Sequence, residues 1–241
     1  MTFELHPTLS LVILCYRAEK HVEKFVSRVI SELEDACIDD YELILVANFL
    51  AGMADQTPAV AKELASKNPR IKFSAVTKEG WMGWDMRTGF AIAEGELIGV
   101  IDGDGQMPAS DVPILYNLIR SGEYDLVKTY RLTRGDGVTR KALSHTFNQL
   151  FGLLFPGVSV RDVNSKPKIM TRGAYEKLAL QSNDWFIDAE IMIQAGRHQL
   201  RIGEVSTDFL GLVGRRSFVD GRTVLEFIKN LLLYRIREWL V

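Results

Sequence analysis

Asp102, Asp104 and Gln106 alternate with Gly103 and Gly105 directly after the apolar run Leu97-Ile98-Gly99-Val100-Ile101. Two carboxylates and an amide oxygen, each two residues apart, are thus delivered at the carboxyl end of a buried strand. The glycines between them permit unusual backbone angles and leave room for a ligand to approach closely. Hard cations such as Mg2+ or Mn2+ prefer this oxygen set and usually share it with phosphate oxygens. The chemistry that follows is stabilisation of a departing diphosphate. A plain turn rich in Asp and Gly has a similar composition, but it needs neither alternate acids nor a buried strand in front of them. An EF-hand loop fits worse, because the later glutamate is missing. Neither Gly-x-Gly-x-x-Gly nor a phosphate loop with Gly-Lys-Ser/Thr is present, which leaves dinucleotide and ATP-hydrolase readings weak.

Short apolar runs alternate with longer segments of helical period, the pattern of an α/β fold. Strands are expected at Ser10 to Cys15, Glu42 to Ala47, Ile71 to Ala75, Leu97 to Ile101 and Asp125 to Thr129. Helical stretches near 19 to 34, 55 to 67, 84 to 94 and 110 to 121 separate them. The first half therefore reads as a doubly wound, mostly parallel sheet with helices on both faces. Ligands bind beyond the carboxyl ends of such strands. The residues there are Tyr16 to Glu19, Ala47 to Asp55, Gly80 to Arg87 and Asp102 to Gln106, all polar, Gly-rich or aromatic. The second half predicts helices at 138 to 153, 173 to 179 and 187 to 196, a strand at 200 to 205 and a last helix from about 222. Gly157 to Lys168 reads as a functional loop leading into a strand.

The 241 residues, 47% apolar and 25% charged, suffice for a full hydrophobic core. A formal charge of −2 gives no reason to expect nucleic acid as a partner. Between Arg215 and Arg237, however, six cations face two acids, so the C-terminal end is locally basic. Two cysteines suggest no disulfide framework and the four histidines lack zinc-ligand spacing, which fits a reducing, cytoplasmic compartment. No run of apolar residues is long enough to span a bilayer, so any membrane contact is expected to be peripheral, on the cytoplasmic face.

With these residues in place, the chain resembles the family 2 glycosyltransferases of the GT-A fold, and within them the dolichol- or polyprenyl-phosphate mannosyltransferases. Asp102, Asp104 and Gln106 match the family's Asp-x-Asp-x-Gln metal motif. Tyr16 and Glu19 fall where the family has a Pro-x-Tyr-Asn-Glu type motif lining the nucleoside pocket, with Leu14 and Arg17 in place of Pro and Asn. After the second strand the family shows Asp-Asp-Gly-Ser and a further Asp; here only Asn48 and Asp55 look comparable. Gly80-Trp81-Met82-Gly83-Trp84-Asp85-Met86-Arg87 takes the place of a Gly-rich segment, and Asp85 is counted with the nucleotide-binding set. Arg131 looks like the family arginine near the donor phosphates, and Arg140 and Lys141 match a basic pair ahead of a helix. Lys168 in Ser165-Lys166-Pro167-Lys168 matches the basic position of a Ser-Gly-Phe-Arg type motif, and Glu190 sits where the family carries a helical acid. Gly214-Arg215-Arg216-Ser217 resembles a late Gly-x-Ser-Lys segment, with Phe218 instead of Lys.

The resemblance implies single displacement with inversion at the anomeric carbon of a GDP- or UDP-linked hexose, a Mg2+ or Mn2+ cofactor, and a catalytic set of Asp104, Arg131 and Glu190. A lipid phosphate acceptor is already anionic and calls for cations rather than a base. Arg131, Arg140, Lys141, Lys168, Arg215 and Arg216, with Ser217, are expected to form that pocket. A saccharide hydroxyl would instead need Asp188 or Glu190 as base, and a third reading is a non-catalytic nucleotide-sugar-binding subunit. The expected division is a catalytic domain over 1–220, with its nucleotide-binding half to about 130, followed by an amphipathic helix over 221–241. That helix mixes Leu225, Phe227, Leu231, Tyr234 and Trp239 with Lys229, Arg235 and Arg237, which suits a membrane interface, the core or a second subunit alike.

Overall fold

The computed structural model describes residues 6–134, 138–210 and 221–239, the side chains of 133–134, 138–143, 221–226 and 237–239 apart. The chain alternates β1 (Leu9–Leu14), α1 (His21–Asp35), β2 (Tyr41–Val46), α2 (Thr57–Lys67), β3 (Ile71–Ser74), α3 (Met82–Ala91), β4 (Leu97–Asp102) and α4 (Asp111–Arg120). It continues with β5 (Leu126–Arg134), α5 (Val138–Leu154), β6 (Lys168–Thr171), α6 (Arg172–Lys177), α7 (Ile187–Arg197), β7 (Ile202–Phe209) and α8 (Gly221–Trp239). These strands form one sheet in the order β3-β2-β1-β4-β6-β5-β7.

β1 pairs in parallel with β2 and β4, and β2 with β3. Both faces of β1, β2 and β4 are covered, which is why they read as largely continuous apolar runs rather than alternating ones, whereas β3 at the sheet edge leaves Phe73 exposed. Leu9, Leu11 and Ile13 of β1 enter the core under α1, α2 and α4, whereas Val12 enters the core under α3, α5, α6 and α7. β6 is antiparallel to both of its neighbours, β4 and β5, while β5 and β7 run parallel. The insertion of β6 brings the 155–167 loop to the carboxyl end of β4.

α8 packs on the second core. Leu231 is buried there, with Phe227 against Phe147 and Tyr234 against Phe155 and Phe186. The same helix leaves Leu232, Leu233 and Ile236 exposed. No described helix is long and apolar enough to cross a membrane.

Candidate active site

The Asp102–Gln106 segment leaves β4 as a tight turn. Gly103 donates its N–H to the Leu14 carbonyl (2.9 Å), and a Cβ at that position would stand 2.9 Å from the same oxygen. Glycine is therefore required for the end of β1 to lie alongside. Gly105 takes φ 74°, in the left-handed region, and the Gln106 N–H closes onto Asp104 Oδ1 at 3.0 Å. The Gln106 carbonyl accepts from Leu210 N (2.8 Å), which ties the turn to the end of β7. Two carboxylates and an amide are held on a backbone pinned from two sides, and Asp102 stays partly open to solvent. This all-oxygen donor set suits a hard divalent cation. Among the described residues, no group of three or more acidic, His or Cys side chains forms a metal cluster, so a metal here needs the Gln106 amide or ligand oxygens beside Asp102 and Asp104.

The loop after β1 is strained. Arg17 and Glu19 have φ of 51° and 46°, unusual for non-glycine residues. It is fastened by Glu19 N donating to Thr57 Oγ1 (2.9 Å), and the Thr57 hydroxyl in turn donates to Asp55 Oδ1 (2.6 Å). Asp55 Oδ2 is buried with no hydrogen-bond partner among the described residues, an acceptor left over beside Tyr16. The exposed Glu19 side chain and this free oxygen are the groups in that corner available to a ligand.

Asn48 and Asp85 come together, but as a support. Asn48 donates to Asp85 (3.0 Å) and accepts from Ser74 Oγ (2.9 Å) and Val76 N (3.1 Å), so it knots the ends of β2 and β3 to α3. Asp85 is ion-paired with Lys78, whose ammonium lies 4.1 Å from the centroid of the Tyr16 ring. Burial raises the Asp85 carboxyl above its ordinary range despite Lys78 and Asn48. Lys78 escaped the sequence reading; a lone lysine after a short strand carries no signal.

The Gly-rich segment has a packing role. Trp81 N and Trp84 N donate to the Asn183 carbonyl, and Gly83 N to the Asp184 carbonyl. A Cβ on Gly80 would stand 2.5 Å from Asn183 O. The two loops thereby interlock, with Trp81 stacked on Trp185 (6.3 Å, 17°).

Beneath Asp102 lies a buried network of charges. Asp188, fully buried, accepts from Lys168 Nζ on one oxygen (2.5 Å) and from Lys166 Nζ on the other (2.9 Å). Lys166 Nζ is also 3.7 Å from Asp102 Oδ1. Burial works against the Lys166 charge, but Asp102 and Asp188 outweigh it and hold its pKa above the ordinary lysine value. Lys168 fares differently: burial pushes its ammonium down to about 7. Arg131 holds Asp162 with two bonds, Nε at 2.6 Å and a terminal nitrogen at 2.8 Å, and is close enough to Lys166 to oppose its charge. Lys128, fully buried, donates to the Thr129 and Asp162 carbonyls and to Glu204.

Several expected site residues therefore sit deeper than expected. Lys168 is enclosed, bonded to Asp188 and the Ser165 carbonyl, and Lys166 is the cation that reaches the carboxylate motif. Glu190 is buried and accepts from Gln181 N and Ser182 N (2.9 to 3.1 Å), capping the loop before α7. Burial raises its carboxyl against those bonds. Arg140 and Lys141 lie on α5, their side chains outside the described residues, as are Arg215, Arg216 and Ser217. Lys166 and Lys128 had a legible signal: Lys128 breaks an apolar strand, and Lys166 stands where the Ser-Gly-Phe-Arg pattern has glycine.

The profile of the family described as Glycosyl transferase family 2 matches residues 10–182. The chain belongs to that family. Dolichyl-phosphate beta-glucosyltransferase ALG5D of Trichomonas vaginalis is 23% identical to it over 97% of this chain and 76% of that protein. Dolichol-phosphate mannosyltransferase of Pyrococcus furiosus is 27% identical over 96% of this chain, which spans 64% of that protein's length. Glucosyl-3-phosphoglycerate synthase from Mycobacterium tuberculosis, solved with Mn2+, uridine diphosphate and phosphoglyceric acid, aligns with TM-score 0.72 at 20% identity, over 95% of this chain and 78% of that one. At that identity the likeness concerns the fold, and the single seven-stranded α/β layer of this family 2 protein is the GT-A architecture.

Proposed function

We propose that this family 2 glycosyltransferase moves a hexose from a GDP- or UDP-linked donor to a polyprenyl phosphate, with inversion, and that Asp102, Asp104 and Gln106 hold the divalent ion it needs. The carrying observation is the pinned carboxylate-amide turn with the buried Lys166 beside Asp102 and the partly buried Arg131 close enough to feel that lysine's charge. A divalent ion bound there would neutralise the charge that develops on the leaving nucleotide diphosphate. Tyr16, Glu19 and Asp55 form the nucleoside corner in this reading, and Asn48 and Asp85 hold its floor in place.

The acceptor follows from what the site offers as a base. A sugar hydroxyl needs a proton acceptor within hydrogen-bond reach. Asp188 is enclosed by two ammonium groups and Glu190 by backbone N–H donors, so each carboxylate is already in use. An acceptor that arrives as an anion needs no base, and the two relatives named for dolichyl or dolichol phosphate support that choice. Leu232, Leu233 and Ile236 on α8, with Leu153 on α5, supply exposed apolar groups for the surface of a membrane holding such a lipid.

The test is a transfer assay with radiolabelled GDP-mannose and UDP-glucose, each offered a polyprenyl phosphate or a free saccharide in the presence of Mn2+. Label entering the organic phase only with the lipid phosphate is the expected result; label transferred to the saccharide would overturn the acceptor. Vesicle flotation with anionic lipid should recover the chain, and recovery unchanged on replacing Leu232, Leu233 and Ile236 by Ser would remove the membrane contact.

A further inference from the structure

We propose that the Lys166 ammonium is a resident counter-ion of Asp102, which weakens that carboxylate's hold on a free divalent ion and makes metal binding depend on the nucleotide diphosphate. The inference rests on the metal reading of Asp102, Asp104 and Gln106.

Three observations carry it. First, the charge cannot swing away: the Lys166 side chain is 2% exposed and is held between Asp188 Oδ2 at 2.9 Å, Met82 Sδ at 3.2 Å and Asp102 Oδ1 at 3.7 Å. Second, Asp188 is already held on its other oxygen by Lys168 at 2.5 Å, and Lys166 has Asp102 as a second acid within reach of its charge. Whenever Lys168 also carries its proton, the two ammonium groups outnumber the one carboxylate, and Asp102 is the further acid beside Lys166. Third, in Ser165-Lys166-Pro167-Lys168 the lysine stands where the motif it resembles has a glycine with no side chain.

The consequence is electrostatic. An ammonium ion beside a ligand oxygen repels a dication approaching that oxygen, and in a partly buried site the repulsion is poorly screened. A diphosphate arriving with the metal reverses the balance, since its negative charge is attracted by both cations. Metal and nucleotide then bind as a coupled pair, each raising the other's affinity by the same factor. Lys166 is a positioning residue in this scheme: it acts through Asp102 and through the charge of the pocket.

Mn2+ binding to the full chain is measured by electron paramagnetic resonance, with and without UDP or GDP and corrected for Mn2+ held by free nucleotide. The unmodified protein should bind Mn2+ at least about tenfold more tightly when nucleotide is present. Lys166→Met and Lys166→Gln should each bind Mn2+ alone at least about tenfold more tightly than the unmodified protein and show weaker coupling to nucleotide. Folding of both is checked by circular dichroism; the Lys168–Asp188 pair survives in each. Mn2+ affinity unchanged or reduced in a folded Lys166 variant overturns the proposal. Should neither variant fold, the unmodified protein decides, and equal Mn2+ affinity with and without nucleotide overturns it. Asp104→Asn separates the two readings: Mn2+ binding that persists in that variant at full strength means the metal site itself is wrong, whereas binding that requires Asp104 but ignores Lys166 refutes only the counter-ion.

Discussion

The two halves of the sheet present their functional groups by different means. β1, β2 and β4 are mostly apolar, with the buried Ser10–Glu42 pair near their starts, and the polar groups of the site appear at or after their last residues, in turns held by backbone bonds and by Asn48. β5, β6, the 155–167 loop and α7 instead carry charges inside: Lys128, Lys166, Lys168 and Asp188 are all buried and hydrogen-bonded. Apolar packing is tolerant of small shifts, whereas a buried charge must find its partner in one geometry or be left uncompensated. The first half is thus a platform for ligands, and the second a rigid electrostatic wall behind them.

This contrast breaks most easily at Asp188. Asp188→Asn leaves two ammonium groups facing an amide, and should lower stability by about 3–5 kcal/mol, the cost of breaking a buried pair. Ile44→Val in the apolar half should cost about 0.5–1.5 kcal/mol. Urea melts of both compare them directly; equal losses would mean that the buried charges do not set the second half apart.

A comparable effect on activity is expected at the metal turn. Asp104→Asn should reduce transfer by on the order of 10²–10³-fold with the melting temperature nearly unchanged, the reverse of the Asp188 pattern. Steady-state rates and a thermal melt on one preparation check it, and a folded variant with normal turnover would remove Asp104 from the chemistry.

The charged wall should also leave a mark on the pH dependence of stability. Burial holds the Lys168 ammonium at about 7, against 10.5 for an ordinary lysine. Between those values the unfolded chain binds more protons than the folded one, so stability rises with pH across that window. Below it both forms are protonated and the penalty is complete; above it the penalty has gone. Lys128, also lowered by burial, acts in the same direction. Lys168→Met should flatten the rise in urea-melt stability between pH 7 and 10, while a slope left intact would place its origin elsewhere.

The smallest effect belongs to the platform. Tyr16→Leu removes the aromatic face over Lys78 and should cost about 0.5–1 kcal/mol. It should weaken nucleotide binding while leaving the Asp85–Lys78 pair in place. Calorimetric titration with UDP and GDP reads the affinity, and no change for either would take Tyr16 out of the nucleoside corner.

Much of this was legible in the sequence. The strand after which Asp102 and Asp104 appear begins at Leu97 as expected and ends at Asp102, one residue beyond the expected Ile101. Helices read near 187 to 196 and from about 222 are α7 and α8 within a residue or so. Both follow from local apolar period, which a strand or helix carries within itself. The last strand was read short, at 200 to 205, where β7 covers Ile202–Phe209. Ser206 and Asp208 lack the apolar signature because the strand lies at the sheet edge, paired among the described strands with β5, and Thr207 is a buried polar residue bonded to Asp111. At the site, the triplet was visible and its surroundings were not. Lys168 and Glu190 were expected in the site because they fall on charged positions of the motifs they resemble, and a motif position does not say whether a side chain faces a ligand or a buried partner.

By itself the sequence determined the alternation of strands and helices, the carboxylate-amide triplet at the end of one strand and the glycines that let its turn form. Each is a property of a few neighbouring residues. Only the tertiary structure decided that β6 enters antiparallel between β4 and β5, which sets Lys166 against Asp102 and places Asp188 between two lysines. The reason is physical: a buried charge is settled by the partner it meets through space, and that partner comes from a distant part of the chain.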